Sequence, residues 1–214
     1  MKIKFAGRVL LGALAATAVS FTVSAATYDL SVDYVTINTG DMQTKGIGYN
    51  GASPGPTLRL KEGEEAVIKV TNNLDEATSI HWHGLILPYQ MDGVPGISFP
   101  GIEPGETFTY RIPVKQSGTY WFHSHSGFQE QTGLYGSIVI DPKDPDPVTY
   151  DRDYVVMLSD WSDEDPNDIY AKLKKLSHYY NFNERTHTDL MTDINKKGLS
   201  GTWGERKMWK QMRM

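Results

Sequence analysis

Cysteine is absent from this sequence of 214 residues. The fold therefore cannot rely on disulfides, and no thiolate is available to bind a metal or to act as a nucleophile. Histidine is also scarce, with six residues in the whole chain. A metal site in this protein would have to be built from these few imidazoles, together with carboxylates or thioethers.

Positive charge is in the minority, with 21 basic residues against 26 acidic ones and a formal net charge of -5. Nucleic acids and anionic lipids carry negative charge, so an acidic protein is poorly suited to bind either of them. We therefore expect no nucleic acid partner.

Long apolar runs are restricted to the N-terminus. Lys2, Lys4 and Arg8 precede an apolar stretch at 9–23, and small residues follow it. This order is typical of a cleavable secretory signal. A transmembrane anchor is the alternative, but the stretch is shorter than the roughly 20 residues that a membrane span requires. We predict a signal peptide at 1–26, export of the protein, and no stable membrane anchor after cleavage.

The next hundred residues consist of short alternating runs between turns that are rich in glycine and proline. In "TFTYRIPV", for example, Phe108, Tyr110 and Ile112 alternate with smaller or polar residues. This period of two indicates strands, and no helical period of comparable length competes with it. The predicted fold is mainly β, with a Greek-key sandwich or barrel at 27–142.

The stretch "DPKDPDP" interrupts the strand pattern, and it predicts a linker at 143–149. Beyond the linker, "DYVVMLSDW" at 153–161 predicts one further strand. A single strand with short helices cannot bury a second core. We therefore expect 150–214 to be an incomplete second domain.

Helical patterns follow in this C-terminal part. Asp165 is a suitable N-cap, and Pro166 suits the first turn of a helix. Two more helices are predicted at 184–197, closed by Gly198, and at 204–214.

Four of the six histidines form two pairs in which one residue separates the partners: His81 with His83 in "HWH", and His123 with His125 in "HSH". Side chains alternate faces along a strand, so the members of each pair share a face. If the two strands are neighbours, four imidazoles converge into a donor set that suits copper, zinc, iron or nickel. Ordinary surface or core histidines are the alternative, but four converging imidazoles without a metal would repel one another on protonation.

Longer motifs around these pairs carry a resemblance. "HWHG" at 81–84, "MDGVPG" at 91–96, "GTYWFHSHSG" at 118–127 and "YGSIVIDP" at 135–142 resemble the first cupredoxin domain of the multicopper oxidases. "LSDWSDEDP" and the helical "KKLSHYYNFNERT" are similar to the copper-resistance oxidases of bacterial periplasms. The likeness implies a plastocyanin-like domain at 27–142, the start of a second cupredoxin domain with a helical insertion at 150–214, and a periplasmic location.

The resemblance also implies roles for individual residues. In this family a trinuclear copper cluster between the first and last cupredoxin domains reduces dioxygen to water. By motif position, His81 would ligate the type 2 copper, and His83, His123 and His125 would ligate the type 3 pair. Asp92 matches the family's acid near the cluster, and its implied role is to help deliver protons. An ordinary turn aspartate is the alternative.

Other residues are expected to be outside the site. Trp82 and Trp121 are expected to be core or wall aromatics. His178 and His187 match no ligand motif of the family, and we expect both to be exposed.

The chain departs from the family at the electron entry site. A complete multicopper oxidase holds a type 1 copper with a cysteine ligand, and its last domain supplies the remaining cluster histidines; this sequence contains neither. We therefore expect the chain to be truncated, to lack a C-terminal cupredoxin domain and to be inactive alone. The main hypothesis is the N-terminal part of a periplasmic copper-resistance oxidase that oxidises Cu(I) or a phenolic donor. The alternative is a non-catalytic periplasmic module that binds or sequesters copper.

Overall fold

The computed structural model describes residues 25–40, 42–181 and 186–211. Nearly all of the predicted signal peptide lies outside these ranges. The chain divides into two compact units, one that ends at Trp161 and one that begins at Ser162. The predicted domain boundaries at 142 and 150 stay predictions.

Eight strands form two four-stranded sheets in the first unit. In chain order they are β1 Ala25–Asn38, β2 Gln43–Tyr49, β3 Leu58–Lys61, β4 Glu65–Asn72, β5 His81–His83, β6 Thr107–Pro113, β7 Gly118–His123 and β8 Tyr135–Asp141. One sheet has the order β2-β1-β4-β6, and the other has the order β3-β8-β7-β5. Each sheet contains one parallel pair, β1 with β4 and β3 with β8, and its other pairs are antiparallel.

Both sheets contribute to one hydrophobic core. Ile68 and Tyr110 from the first sheet are buried in the same cluster as Trp82, Phe122 and Ile138 from the second. The ring centroids of Trp82 and Tyr110 are 5.1 Å apart, so aromatic contacts join the two layers. The predicted mainly β sandwich is confirmed.

Strand β6 shows how alternation in the sequence gives a strand one buried face and one exposed face. Tyr110 and Ile112 are buried, whereas Thr107 and Arg111 are exposed. Removing such side chains from water stabilises the fold by about 25 cal/mol for each Å² of apolar surface. The inward residues therefore dictate which face of the strand meets the core.

The strand that we predicted at 153–161 is wrong. Residues 152–161 have no strand assignment, and large apolar side chains at Tyr154, Val156 and Leu158 are exposed. A strand is stabilised by the ladder of hydrogen bonds to a neighbour, and none of the described strands pairs with this segment. An apolar pattern alone is therefore insufficient to form one here.

The second unit contains two helices among the residues that the structure describes. Helix α1 spans Pro166–Lys175, and the Asp165 side chain caps it by accepting a hydrogen bond of 2.8 Å from the Asn167 N–H. Helix α2 spans His187–Gln211, with a break at Gly198, where φ is 71°. The predicted N-cap is confirmed, and so is the interruption at Gly198, whose positive φ suits glycine.

Within the described residues, no helix is both long enough and apolar enough to cross a bilayer.

Candidate metal centre

Strands β5 and β7 lie side by side, although the 34 residues at 84–117 separate them along the chain. They pair in the antiparallel direction, with His81 opposite His123 and His83 opposite Trp121. Trp82 and Phe122, between these residues in each strand, point into the core. The alternation of side chains therefore places the histidines together on the other face of this sheet.

All four paired histidines come together at this place. The His81 ring centroid lies 5.5 Å from that of His83, 5.4 Å from that of His123 and 4.8 Å from that of His125. The centroids of His123 and His125 are 5.3 Å apart. The convergence that the two H-x-H motifs predicted is thus present in the fold.

Three of the rings present their nitrogens to a common space. The candidate ligand atoms of His81, His83 and His123 all lie within 4.8 Å of one another. His83 Nδ1 and His123 Nε2 are 3.3 Å apart. Nitrogens this close, on rings that tilt toward one another, can share one metal ion or a compact group of ions.

Hydrogen bonds at the opposite nitrogens orient two of these rings. His81 Nδ1 donates to the backbone carbonyl of Asp92 at 2.8 Å. His123 Nδ1 lies 3.0 Å from the Ser124 carbonyl and 2.7 Å from Glu130 Oε2. Because these oxygens only accept, each Nδ1 carries the proton, which leaves the lone pair on Nε2. Metal-ligating histidines are usually oriented in this way, so the site fits a metal that prefers imidazole.

The loop that carries Asp92 is held close to the start of β5. The Asp92 side chain is partly exposed, and its Oδ1 lies 3.4 Å from His81 Nδ1. Gly93 follows with φ of 76°, and a Cβ added there would lie 1.6 Å from the carbonyl oxygen of Ile80. Only glycine permits this close approach, which brings the Asp92 carbonyl to His81.

A buried glutamine connects the turn after β7 with the segment before β5. Gln129 is 4% exposed, and its Oε1 accepts hydrogen bonds from Thr78 Oγ1 at 2.7 Å and Ser124 Oγ at 2.8 Å. Its Nε2 donates to the Ala77 carbonyl at 2.9 Å. The side chain thus satisfies polar groups on both segments and holds the two histidine pairs together.

His125 is placed by the same turn. Its backbone N–H donates to Ser79 Oγ at 3.0 Å, and Ser79 Oγ lies 3.0 Å from Ser126 Oγ. His125 lies after the end of β7, so the strand pattern does not determine its position. These local hydrogen bonds turn the chain and bring the ring against His81.

The environment disfavours protonation of two of the rings. Burial lowers the pKa of His123, and the nearby His81 and His125 lower it further, against opposing effects of the Ser124 carbonyl and the Glu130 carboxylate. Partial burial of its ring and the nearby His81 also lower the pKa of His125, although much of that residue is exposed. Neutral imidazole is the form that binds a metal, so both shifts favour metal binding.

Aromatic rings form one side of the cluster. Trp121 stacks on His83, with centroids 5.0 Å apart, and on His123, with centroids 4.1 Å apart. Its predicted role as a wall aromatic is confirmed, and Trp82 is a core residue that is 1% exposed. His178 and His187 are exposed and belong to the second unit, as expected.

Sequence reasoning missed Gln129 and Glu130. They are adjacent, yet Gln129 turns inward to the buried network, and Glu130 extends to His123. The segment 126–133 that carries them consists of turns rather than a regular helix or strand, so no periodic pattern assigned their faces. A polar pair shortly after a candidate metal motif was the one available signal, and it is too common to identify partners.

This chain is similar to several known proteins. The family model described as "Multicopper oxidase" matches residues 31–145. Copper resistance protein A of Escherichia coli is 54% identical over 187 residues, which cover 87% of this chain and 31% of that protein. The L-ascorbate oxidase of Cucumis sativus is 41% identical over 140 residues, which cover 63% of this chain and 24% of the plant protein. This chain thus spans about a third of the length of the curated copper-resistance relatives that it matches.

Solved structures agree with the sequence comparison. A laccase from Botrytis aclada superposes with a TM-score of 0.64 at 37% identity, over 72% of this chain and 29% of the laccase chain. A multicopper oxidase from Pseudomonas thermotolerans gives a TM-score of 0.57 at 35% identity, over 59% of this chain and 32% of that chain.

Proposed function

Because this chain belongs to the multicopper oxidase family, we propose that it supplies four histidine ligands to a trinuclear copper cluster. The enzyme would be a periplasmic copper-resistance oxidase that oxidises Cu(I) or a phenolic donor and reduces dioxygen to water. Its identity of 54% with a copper resistance protein supports this reading over a generic laccase. The apolar stretch at the N-terminus supports export to the periplasm.

The observation that carries the proposal is the convergence of the four histidine rings across β5 and β7. His81 lies within 5.5 Å, centroid to centroid, of each of the other three. His81 and His123 each offer Nε2, with Nδ1 held by an acceptor. Imidazole donors that are oriented in this way suit copper.

The ligand roles follow the family motif residue by residue. His81 would ligate the type 2 copper, and His83, His123 and His125 would ligate the type 3 pair. Copper, when bound, would carry electrons from the donor to dioxygen. The remaining ligands and the type 1 site would come from a further cupredoxin domain, since this sequence contains no cysteine.

Asp92 is the residue proposed to handle protons. Four protons are consumed when dioxygen accepts four electrons and becomes two water molecules, so the site requires a supply from solvent. The Asp92 carboxylate is partly exposed and lies 3.4 Å from His81 Nδ1, at the rim of the cluster. A group in contact with both solvent and cluster can pass protons inward.

The absence of cysteine favours a second candidate, a periplasmic module that binds or sequesters copper without turnover. The intact mass of the native protein in a periplasmic extract separates the two. A mass far above 24.0 kDa would support the oxidase. A mass slightly below it, with only the signal removed, would support the module and contradict the oxidase for this chain.

Copper titration tests the site in either case. The unmodified chain is expected to bind Cu(II), and the double variant His81→Ala/His83→Ala is expected to lose that binding. His187→Ala serves as the matched control, because this histidine is exposed and lies in the other unit. Equal losses in the control and the double variant, or no copper binding by the unmodified chain, would refute the proposed site.

A further inference from the structure

Among the described residues, the shortest polar contact to a histidine ring of the cluster comes from the carboxylate of Glu130. Its Oε2 lies 2.7 Å from His123 Nδ1. Charge-assisted hydrogen bonds have this length and are about twice as strong as neutral ones. The resemblance to the family assigns Glu130 no role, so its position requires a separate explanation.

Hydrogen bonds anchor the backbone around Glu130, and they hold its side chain near His123. Its neighbour Gln129 is 4% exposed and is hydrogen-bonded to Thr78, Ser124 and Ala77. The Glu130 carbonyl accepts from the Gly133 N–H at 3.1 Å. Because the main chain is fixed at Gln129 and at the Glu130 carbonyl, rotation of the Glu130 side chain alone brings the carboxylate to His123.

A neutral acceptor is already available to the same nitrogen. The Ser124 carbonyl lies 3.0 Å from His123 Nδ1, so the N–H of a neutral ring would have a partner without Glu130. What Glu130 adds is therefore its negative charge rather than the hydrogen bond as such. A carboxylate on the far side of an imidazole increases the electron density at the opposite nitrogen and makes it a stronger ligand.

The other carboxylate at the cluster is arranged differently. His81 Nδ1 donates to the backbone carbonyl of Asp92 at 2.8 Å, whereas the Asp92 side chain stands off at 3.4 Å. A neutral carbonyl thus orients the His81 ring, whereas a charged carboxylate also contacts the His123 ring. Of the four rings, His123 is therefore the one whose metal-binding nitrogen is strengthened by a carboxylate in hydrogen-bonding contact.

Glu130 also stays in contact with solvent. Its side chain is 48% exposed, whereas that of His123 is 5% exposed. It lines a cavity of about 160 Å³ together with Trp121 and Tyr135. Contact with solvent spares the carboxylate a large desolvation penalty.

We propose that Glu130 is a positioning residue whose negative charge strengthens the His123 ligand for Cu(II) more than for Cu(I). The inference rests on the proposed copper site. A negative charge beyond the ring stabilises the doubly charged ion more than the singly charged one, since Coulomb energy scales with the ion's charge. The effect is electrostatic and needs no movement of the fold.

Glu130→Gln isolates this effect, because glutamine keeps the size and an acceptor oxygen and removes only the charge. Glu103→Gln is the matched control, since Glu103 is exposed in a turn outside the cluster. Dissociation constants of the 214-residue chain would be measured for Cu(II) and, under reducing conditions, for Cu(I). Urea unfolding of the metal-free variants would be recorded alongside.

We expect Glu130→Gln to raise the Cu(II) dissociation constant about tenfold, at the low end of the range for such partners. Its Cu(I) constant should rise less, its unfolding midpoint should not change, and Glu103→Gln should match the unmodified chain. Unchanged affinity in Glu130→Gln, or equal losses for the two ions, would overturn the inference and leave the copper site standing. If the unmodified chain binds neither ion, the site itself is refuted and the inference falls with it.

Discussion

Replacement of Gly93 by alanine is expected to be among the most damaging single-methyl changes at the site. Gly93 has a φ of 76°, and a Cβ there would lie 1.6 Å from the carbonyl oxygen and 2.4 Å from the carbonyl carbon of Ile80. Both are backbone atoms, so no side-chain rotation can relieve the overlap. The loop would have to move away from the strand that carries His81.

Two costs add in this variant. An alanine forced into the left-handed region costs about 1 to 2 kcal/mol. Overpacking against a fixed neighbour costs about 1 to 3 kcal/mol. The expected loss of unfolding free energy is therefore about 2 to 5 kcal/mol, a large part of the roughly 5 to 15 kcal/mol that stabilises a typical domain.

Gly96 offers a matched control in the same loop. Its φ is 73°, nearly the same as that of Gly93, but an added Cβ would meet nothing within 4 Å. Gly96→Ala should therefore show the backbone cost alone, about 1 to 2 kcal/mol. The difference between the two variants measures the contact with Ile80.

Urea unfolding of the metal-free chain, followed by circular dichroism, provides the comparison. Copper titration of Gly93→Ala adds a second readout, because displacing Asp92 removes the acceptor for His81 Nδ1 and should weaken binding about tenfold. Equal destabilisation by Gly93→Ala and Gly96→Ala, or a Gly93→Ala protein as stable as the unmodified one, would refute the argument from close approach.

Three further predictions concern the network, the histidines and the helical unit. Gln129→Ala should lower the unfolding free energy by about 1 to 3 kcal/mol, because it leaves buried donors and acceptors unpaired; unchanged stability in urea would contradict this. The pKa of His123 is lower in the folded protein than its ordinary value of 6.5, so the unfolded chain takes up the proton first as pH falls. Stability of the metal-free chain should thus be complete above about pH 6.5 and fall below it, and His123→Gln should flatten that pH dependence in thermal unfolding. Asp165→Ala should cost the second unit about 1 kcal/mol of helix stability, seen by circular dichroism as lower helicity than in the unmodified chain; unchanged helicity would contradict this.

Much of the histidine arrangement could be predicted because it depends on local geometry. The period of two along a strand puts His81 and His83 on the face opposite Trp82, whatever the rest of the fold. The same holds for the helix after Asp165, where the side chain satisfies the free N–H of Asn167 within the same short segment. Such features need only neighbours in the chain.

Some features that depend on partners distant in the chain were predicted wrongly or not at all. The apolar run at 154–158 suggested a strand, but its formation requires a pairing edge, and no described strand provides one. Gln129 and Glu130 could not be assigned, since their partners at Thr78 and His123 are set by how the turn after β7 packs. No local period distinguishes an inward glutamine from its outward neighbour.

By itself, the sequence determined the composition of the site: no thiolate, two H-x-H histidine pairs, and a shared strand face for His81 and His83. Only the tertiary structure decided that β5 lies beside β7 with His81 opposite His123, and that the carbonyl of Asp92 and the carboxylate of Glu130 meet the rings. The physical reason is the range of the forces involved. Alternation follows from the backbone of adjacent residues, whereas register and ligand orientation follow from burying one shared core, in which Trp82 and Phe122 take part.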